Sequence, residues 1–278
     1  MLTEKKLGIQ ELLEKIKMPP EAAEQIAMRL DEADGFDVSG LCSMDTAEKA
    51  YESLKEQCGD DEILILAAFM SATMTTKENY IKKGIGLDIF YESMGFFARA
   101  VVECVERYGR TGFEASWWGW RQTSGALYRL GILEFEIVNL KKEGFGDAVP
   151  GETMISVHIP KDAPLIRSEL DKSYDMAEEF FKKQGVSYKL TGCCSWLLSP
   201  NLSPLLPENS RILEFQKDYN IVSVDEDEPN FMEWIYKRKY ENLEDLPEDT
   251  SLRRNAKRHL LSGGKLGVAS GVLKRGES

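Results

Sequence analysis

The sequence predicts an α+β protein in which an all-helical N-terminal domain is followed by a mixed α/β C-terminal domain. Two observations predict this class. Up to about Tyr108, apolar residues recur at three- and four-residue spacing, which is the period of an amphipathic helix. From Leu130 onward, apolar and polar residues alternate in short runs separated by helical stretches. The chain has 278 residues, 42% of them hydrophobic, so it can bury a sizeable core.

Five helices are predicted in the N-terminal domain. Pro19-Pro20 begins the second, because proline is tolerated in a first helical turn. Asp45-Thr-Ala-Glu48 has the form of a capping box and begins the third. The fifth carries an apolar stripe that we expect to face the core. The helices cover Leu7 to Ile16, Pro19 to Ala33, Asp45 to Gly59, about Asp61 to Thr75, and Asp88 to Tyr108.

A tryptophan-rich segment, Ser116-Trp-Trp-Gly-Trp-Arg-Gln122, follows the last of these helices. Aromatic side chains bury large areas, so we favour a packing anchor at the end of the helical domain. A stacking wall for a base or ring is the functional alternative.

The C-terminal domain is predicted to have the element order ββαβαβααβ. Leu133, Phe135 and Ile137 lie on one face of its first strand, with Glu134 and Glu136 on the other. A Gly/Pro loop joins this strand to the next as a β-hairpin. The strands cover Leu130 to Leu140, Met154 to Ile159, Val186 to Cys194, Ile221 to Val224, and part of Leu266 to Leu273. Four helices are predicted between these strands. The first ends at Gly185, the second starts after Ser199-Pro200 and runs through Tyr219, and the last two lie near Pro229 to Arg238 and Ser251 to Leu261.

Charge and cysteine content exclude several classes of protein. A net charge of -12 argues against a nucleic-acid partner, since binding phosphates requires a basic face. Five cysteines without metal-like spacing indicate reduced thiols, no structural metal and a cytoplasmic location. The longest apolar run, Ile63 to Met70, is too short to span a bilayer, and we expect no membrane association.

Two predicted strands end in residues that could carry chemistry. Ile155-Ser-Val-His-Ile-Pro160 has a lone histidine, and Leu190-Thr-Gly-Cys-Cys-Ser-Trp196 ends in two thiols and a hydroxyl. If the strands are neighbours, we expect His158 and Ser195 to line one cleft.

Several separated motifs follow one another along the chain. They are Tyr128-Arg-Leu-Gly-Ile-Leu-Glu-Phe-Glu136, Ser156-Val-His-Ile-Pro160, Ser173-Tyr-Asp-Met-Ala-Glu-Glu-Phe-Phe181, Ser195-Trp-Leu-Leu-Ser-Pro200, Ile212-Leu-Glu-Phe-Gln216 and Thr250-Ser-Leu252. Together they resemble one bacterial family of acyltransferases, whose members join a helical N-acyltransferase N-terminal domain to a GNAT-like (GCN5-related N-acetyltransferase) C-terminal domain. The resemblance covers essentially the whole chain and is strongest from Tyr128. It places the domains at residues 1–125 and 126–278.

The resemblance implies an acyl-CoA co-substrate and transfer of the acyl group to an amine of a small molecule or peptide. In the GNAT fold the donor lies where two central strands splay, which here would be Met154 to Ile159 and Val186 to Cys194. Its pyrophosphate lies at the N-terminus of the helix after the first of them, where free N–H groups and the helix dipole favour phosphate.

The loop before that helix departs from typical GNAT sequences. It lacks the Gln/Arg-x-x-Gly-x-Gly/Ala pattern. Lys161, Arg167, Lys172 and Ser173 are the predicted donor-binding residues there, and Trp196 is a further candidate. An ordinary capped and solvated loop is the alternative interpretation.

Acyl transfer to an amine needs a base, a donor to the thioester oxygen and an acid for the leaving thiolate. Glu134 and His158 are the candidate bases, although structural roles are more common for such residues. Ser195 is a candidate donor, with capping of the next turn as its structural alternative. Tyr219 is the candidate acid, with ring packing as its alternative.

A further departure from the family pattern lies at the end of the predicted strand Val186 to Cys194. Family members usually have Cys-His-Ser-Trp, whereas this chain has Cys193-Cys194-Ser195-Trp196. A thiol with a reference pKa of about 8.5 is a poor replacement base at neutral pH. Cys194 as a nucleophile would need a basic neighbour, so inert thiols are the simpler interpretation. A catalytically degenerate GNAT-like module that binds a small ligand or partner protein is therefore the alternative to an N-acyltransferase.

Overall fold

The computed structural model describes residues 3–238 and 240–274. Contacts divide the chain into two compact units, residues 1–130 and 131–278. The first is helical and the second combines a mixed sheet with helices, which confirms the predicted α+β class. No helix in the described ranges combines the length and apolar character needed to cross a membrane.

Within residues 3–130, the first unit has six α-helices and ends in a short strand. Thr3 caps α1 by accepting a hydrogen bond from the Lys6 amide, and Asp61 caps α4 by accepting one from Leu64. These elements are α1 Glu4–Lys15, α2 Pro20–Ala33, α3 Ala47–Cys58, α4 Glu62–Lys82, α5 Leu87–Tyr108, α6 Trp120–Ser124 and β1 Leu127–Leu130.

Helix α4 forms the centre of this unit and runs beyond the predicted end at Thr75. It continues because Thr76 and Tyr80 are also buried, so the apolar surroundings extend past the polar residues that suggested an end. The capping box predicted at Asp45 is wrong. Thr46 is the N-cap residue of α3, and its hydroxyl donates to the carbonyl of Gly40 instead of capping the helix.

The predicted apolar stripe of α5 is confirmed. The stripe consists of Phe90, Met94, Phe97, Val101, Cys104 and Tyr108. The first five are buried, and Tyr108 at the end is half exposed. In the tryptophan-rich segment, the Arg121 guanidinium lies 4.0 Å from the Trp118 ring centre and 4.3 Å from that of Trp120. Cation–π contacts of this kind favour the packing interpretation for these two rings.

The second unit has the predicted order ββαβαβααβ. Its elements are β2 Leu133–Asn139, β3 Thr153–His158, α7 Arg167–Lys183, β4 Thr191–Ser195, α8 Arg211–Gln216, β5 Tyr219–Asp225, α9 Phe231–Tyr236, α10 Ser251–Leu261 and β6 Val268–Leu273. Between β4 and α8 lie two 3-10 helices, Trp196–Leu198 and Pro200–Leu205.

Several boundaries differ from prediction, including those at the starts of three strands. The strand predicted from Leu130 begins at Leu133, because Gly131 adopts a φ of +69° that interrupts an extended run. Strand β4 starts at Thr191 rather than at Val186. Tyr219 is the first residue of β5, whereas the sequence predicted it within a helix.

Within the second unit the strand order is β2-β3-β4-β6-β5. Strand β3 pairs antiparallel with β2 and parallel with β4, and α7 provides the crossover between the parallel pair. Strand β6 returns antiparallel between β4 and β5. A separate hydrophobic cluster lies under α9 and α10, with Phe231, Tyr236 and Ala256 among its buried members.

Candidate active site

The central parallel strands pair only over a short distance. Ile155 is the Cα partner of Thr191, and Ser156 is that of Gly192. Beyond this point β3 continues to His158 in register with β2, while β4 continues in register with β6. The two strands therefore open into a gap, called the wedge here, between residues 157–158 of β3 and 193–195 of β4. Its apex is the pair Ser156–Gly192.

The two faces of the sheet differ beside the wedge. Side chains alternate along a strand, so His158 shares a face with Ser156, and Cys194 shares that face with Gly192. Cys194 is exposed, whereas Cys193 on the opposite face is fully buried. We call the His158 side the polar face; its residues beside the wedge are Glu134, Glu136, Ser156, His158, Cys194 and Ser270.

A carboxylate–imidazole pair lies on this polar face. His158 Nε2 is 2.8 Å from Glu136 Oε2, with the side chains 25% and 11% exposed. Glu134 is the direct Cα partner of His158 and is itself buried. The sequence suggested Glu134 as a base and not Glu136. Long side chains also reach diagonally across an antiparallel pair, and this property could have identified Glu136.

Ser195 lies at the end of β4, on the face opposite His158. Its Oγ accepts a hydrogen bond from the Leu197 amide at 3.1 Å and so caps the 3-10 helix that follows. Trp196 is half-buried and packs against the cluster under α9 and α10. The thiol of Cys194, rather than the Ser195 hydroxyl, shares the polar face with His158.

Tyr219 is buried on the α7 side of the sheet. Its hydroxyl is 3.1 Å from that of Tyr174, and Tyr174 in turn lies 3.4 Å from Asp218 Oδ2. Burial, reinforced by the neighbouring Tyr174, raises the pKa of Tyr219 well above its ordinary value. Burial likewise raises the pKa of the Cys193 thiol. These groups therefore stay protonated at neutral pH.

Helix α7 begins at Arg167, after an N-cap residue, Ile166, that provides no side-chain acceptor. The N-cap side chain therefore satisfies none of the first-turn amides of the helix. The guanidinium of Arg167 donates to both oxygens of Asp218, at 2.7 and 2.8 Å, and to both oxygens of Asp171. Two carboxylates therefore already surround this predicted phosphate ligand.

The other predicted donor-binding residues occupy different environments. Ser173 is fully buried; its Oγ accepts from the Ile132 amide at 2.9 Å and donates to the Glu169 carbonyl at 2.8 Å. Lys161 is exposed in the turn after β3, and Lys172 is exposed in the second turn of α7.

Sequence reasoning did not select Arg211. Its Nη1 donates to the Pro164 carbonyl at 3.1 Å, which places a cation beside the segment leading into α7. In residues 3–238 and 240–274, no three His, Cys, Asp or Glu side chains are grouped so as to hold a metal ion.

Comparison with protein families matches both parts of the chain. Residues 8–125 match the N-acyltransferase N-terminal domain, and residues 127–273 match the GNAT-like C-terminal domain. No curated protein matches the chain.

Solved acyltransferases have a similar fold. One, in complex with decanoyl-CoA and teicoplanin, has a TM-score of 0.78 at 20% identity and covers 95% of this chain and 86% of its own. An acyltransferase mutant in complex with octanoyl-CoA has a TM-score of 0.76 at 20% identity, with 96% and 87% covered. At this identity the likeness establishes the fold alone.

Proposed function

The chain belongs to the family that joins an N-acyltransferase N-terminal domain to a GNAT-like C-terminal domain, and from this premise we propose that it transfers an acyl group from acyl-CoA to an amine. One observation carries the proposal. The central parallel strands open into a wedge directly beside the hydrogen-bonded pair of His158 and Glu136.

The wedge fits the chemistry of an acyl-CoA. Beyond Ser156 and Gly192, each strand turns a backbone edge toward the gap, and such edges offer N–H and C=O groups to an extended polar chain. The pantetheine arm of CoA contains amides that would hydrogen-bond to the N–H and C=O groups of these edges. The uncapped first turn of α7 follows β3 and suits the phosphates of CoA.

Bound acyl-CoA supplies the thioester, and the chain's own residues supply proton transfer. As the neutral amine attacks the thioester carbon, His158 accepts its proton. The Glu136 carboxylate stabilises the imidazolium that forms and orients the ring. When the C–S bond breaks, His158 returns the proton to the CoA sulfur. The amide and free CoA are the products.

Cys194 lies on the same face as this pair. The register extends from the Ser156–Gly192 pair by two residues on each strand, so His158 and Cys194 occupy equivalent positions on the two sides of the wedge. The histidine that family members usually have at this position would lie opposite His158. In this chain we assign the role of base to His158, supported by Glu136. We assign Cys194 no part in proton transfer.

We propose a small-molecule or peptide amine as the acceptor. An acyltransferase of the same fold is solved with decanoyl-CoA and teicoplanin, which supports an acyl-CoA donor and an acceptor of this kind. We place the reaction in the cytoplasm, since all five cysteines are free thiols.

The test is release of free CoA from octanoyl-CoA in the presence of a panel of primary amines, with the acylated amine identified by mass spectrometry. We expect amine-dependent turnover in the wild-type protein and its loss in His158→Ala. His259→Ala is the matched control, because His259 lies on α10 rather than on a wedge strand and its Nε2 is 3.1 Å from the Lys265 carbonyl oxygen. Equal turnover in both variants would remove His158 from the mechanism.

The second candidate is a GNAT-like module that binds a ligand without catalysis. It is favoured by Cys194 in place of a histidine and by the two carboxylates that surround Arg167. It predicts that octanoyl-CoA binds and raises the melting temperature, with no CoA released for any amine. Amine-dependent turnover that is lost in His158→Ala excludes this candidate.

A further inference from the structure

The loop between β2 and β3 covers the apex of the wedge on the polar face. A methyl group added at Gly192 would meet the ring of Phe145 and would come within 2.9 Å of Met154 Cε. Gly192 is the last β4 residue paired with β3, so these two side chains lie where the strands begin to separate. The absence of a side chain at Gly192 makes room for them.

Phe145 lies in a turn that is closed by two backbone hydrogen bonds. The amides and carbonyls of Phe145 and Ala148 bond each other at 2.9 and 3.0 Å, and Ala148 is buried. Gly146 has a φ of +56°, and a methyl group there would lie 2.7 Å from the Val272 side chain on β6. The turn therefore packs against the sheet, with the Phe145 ring at the apex.

The opposite face of the sheet is covered beside the wedge. Ile155, Val157 and Cys193 are each at most 1% exposed, and Tyr174 of α7 is buried on that side. A donor whose thioester lies near His158 thus has its acyl group directed along the polar face. The residues met on the way to the apex are Ser156 and then Phe145 and Met154.

We propose that Phe145, with Met154 beside it, closes the acyl-binding space at the wedge apex and sets the longest acyl chain that the protein accommodates. This inference rests on the proposed acyl-CoA-dependent function and specifies its donor class. The ring and the thioether provide an apolar end to the space, so affinity rises with chain length only until the chain reaches them.

The test is calorimetric titration with acetyl-, butanoyl-, octanoyl- and decanoyl-CoA. In the wild-type protein we expect affinity to rise with chain length and then level off or fall. In Phe145→Ala we expect the rise to continue, by roughly fourfold for each further methylene that is buried. Val149→Ala is the matched control, because Val149 lies in the same loop and is 57% exposed.

Two further variants keep the test decisive if Phe145→Ala fails to fold. Met154→Ala should extend the accepted chain by a smaller amount. Gly192→Ala should shorten it, since the added methyl group meets both side chains. Where Phe145→Ala does fold, the double variant Phe145→Ala/Gly192→Ala is an added check. Its methyl group enters space that the ring has vacated, so chain preference should move back toward wild type.

The outcomes separate this inference from the function on which it rests. If wild-type protein binds none of the acyl-CoAs, the proposed function fails, and the inference with it. If it binds them and Phe145→Ala and Met154→Ala keep the wild-type length dependence, the inference alone is overturned. A change in Val149→Ala equal to that in Phe145→Ala would also overturn it.

Discussion

Glu136 and His158 lie diagonally across the antiparallel pair of β2 and β3, and Glu136 Oε2 is 2.8 Å from His158 Nε2. Both side chains are largely shielded from water. A charge-assisted hydrogen bond is stronger in such a shielded place than on the surface. The pair stands beside the gap between the two central strands. Under the proposed function, it would accept a proton next to the thioester and stabilise the resulting charge.

The first prediction concerns Glu136→Gln. The amide keeps the shape of the side chain but cannot neutralise an imidazolium, so we expect kcat to fall while KM for acyl-CoA changes little. The loss should be smaller than the roughly 10²- to 10⁴-fold that a general base contributes. Steady-state kinetics with a saturating amine measures the split between kcat and KM.

The control for this substitution is Glu143→Gln, in the exposed loop between the same two strands. It should leave both constants unchanged. Thermal unfolding measures the melting temperature of each variant. If Glu136→Gln lowers the melting temperature in parallel with kcat, Glu136 has a purely structural role.

The second prediction concerns Ser173, which the sequence suggested as a phosphate ligand. Its Oγ accepts the Ile132 amide hydrogen, so Ser173→Ala leaves that donor without its partner and should cost about 1 to 3 kcal/mol. Urea denaturation measures the loss. Ser168→Ala, on an exposed position of the same helix, is the control. Weaker CoA binding by folded Ser173→Ala, with stability unchanged, would support the phosphate role.

The sequence predicted the element order of the second unit because hydrophobic periodicity is a local property. It failed at the start of β4, where Val186, Tyr188 and Leu190 alternate like a strand. A strand exists only where a neighbour pairs with it. Here the backbone hydrogen bonds to β3 involve Lys189 and Leu190, and the paired register begins at Thr191. That condition depends on residues far away in the chain.

The same reasoning explains the candidate site. The motifs located both wedge strands and His158, since each motif is a continuous run. The partners of these side chains are distant in sequence: Glu136 is 22 residues from His158, and Asp218 is 51 residues from Arg167. Their contacts depend on register and on the packing of α7, which no local pattern specifies.

The third prediction is loss of stability at alkaline pH. Burial raises the pKa of Tyr128 and of Tyr236 to about 12, and that of Tyr174 also rises. The folded state thus holds these protons after the unfolded chain has lost them. Their stabilisation is fully present below the ordinary tyrosine pKa of 10 and is lost as the pH rises toward about 12.

Urea midpoints at about pH 8, 10 and 11 should therefore be level at first and then fall. Tyr236→Phe should lessen the fall, because it removes one of the groups that bind protons more tightly in the folded state. A urea midpoint that increases as the pH is raised above 10 would contradict the predicted loss of stability.

The fourth prediction separates the adjacent thiols of β4. Only a thiolate reacts with iodoacetamide, and burial raises the pKa of Cys193 while excluding reagent from it. Cys194 is exposed beside the wedge, so it should be alkylated first in the native protein. Burial also raises the pKa of Cys42, Cys58 and Cys104, which should react more slowly. Peptide mapping by mass spectrometry measures each rate.

Acyl-CoA connects this labelling to the proposed donor site. A donor lying between β3 and β4 covers the polar face near Cys194, so saturating octanoyl-CoA should slow alkylation there and leave the rate at Cys58 unchanged. Cys194→Ser confirms which peptide carries the fast label. Protection that is equal at both thiols would indicate a general tightening of the protein, and unprotected Cys194 with octanoyl-CoA bound would place the donor elsewhere.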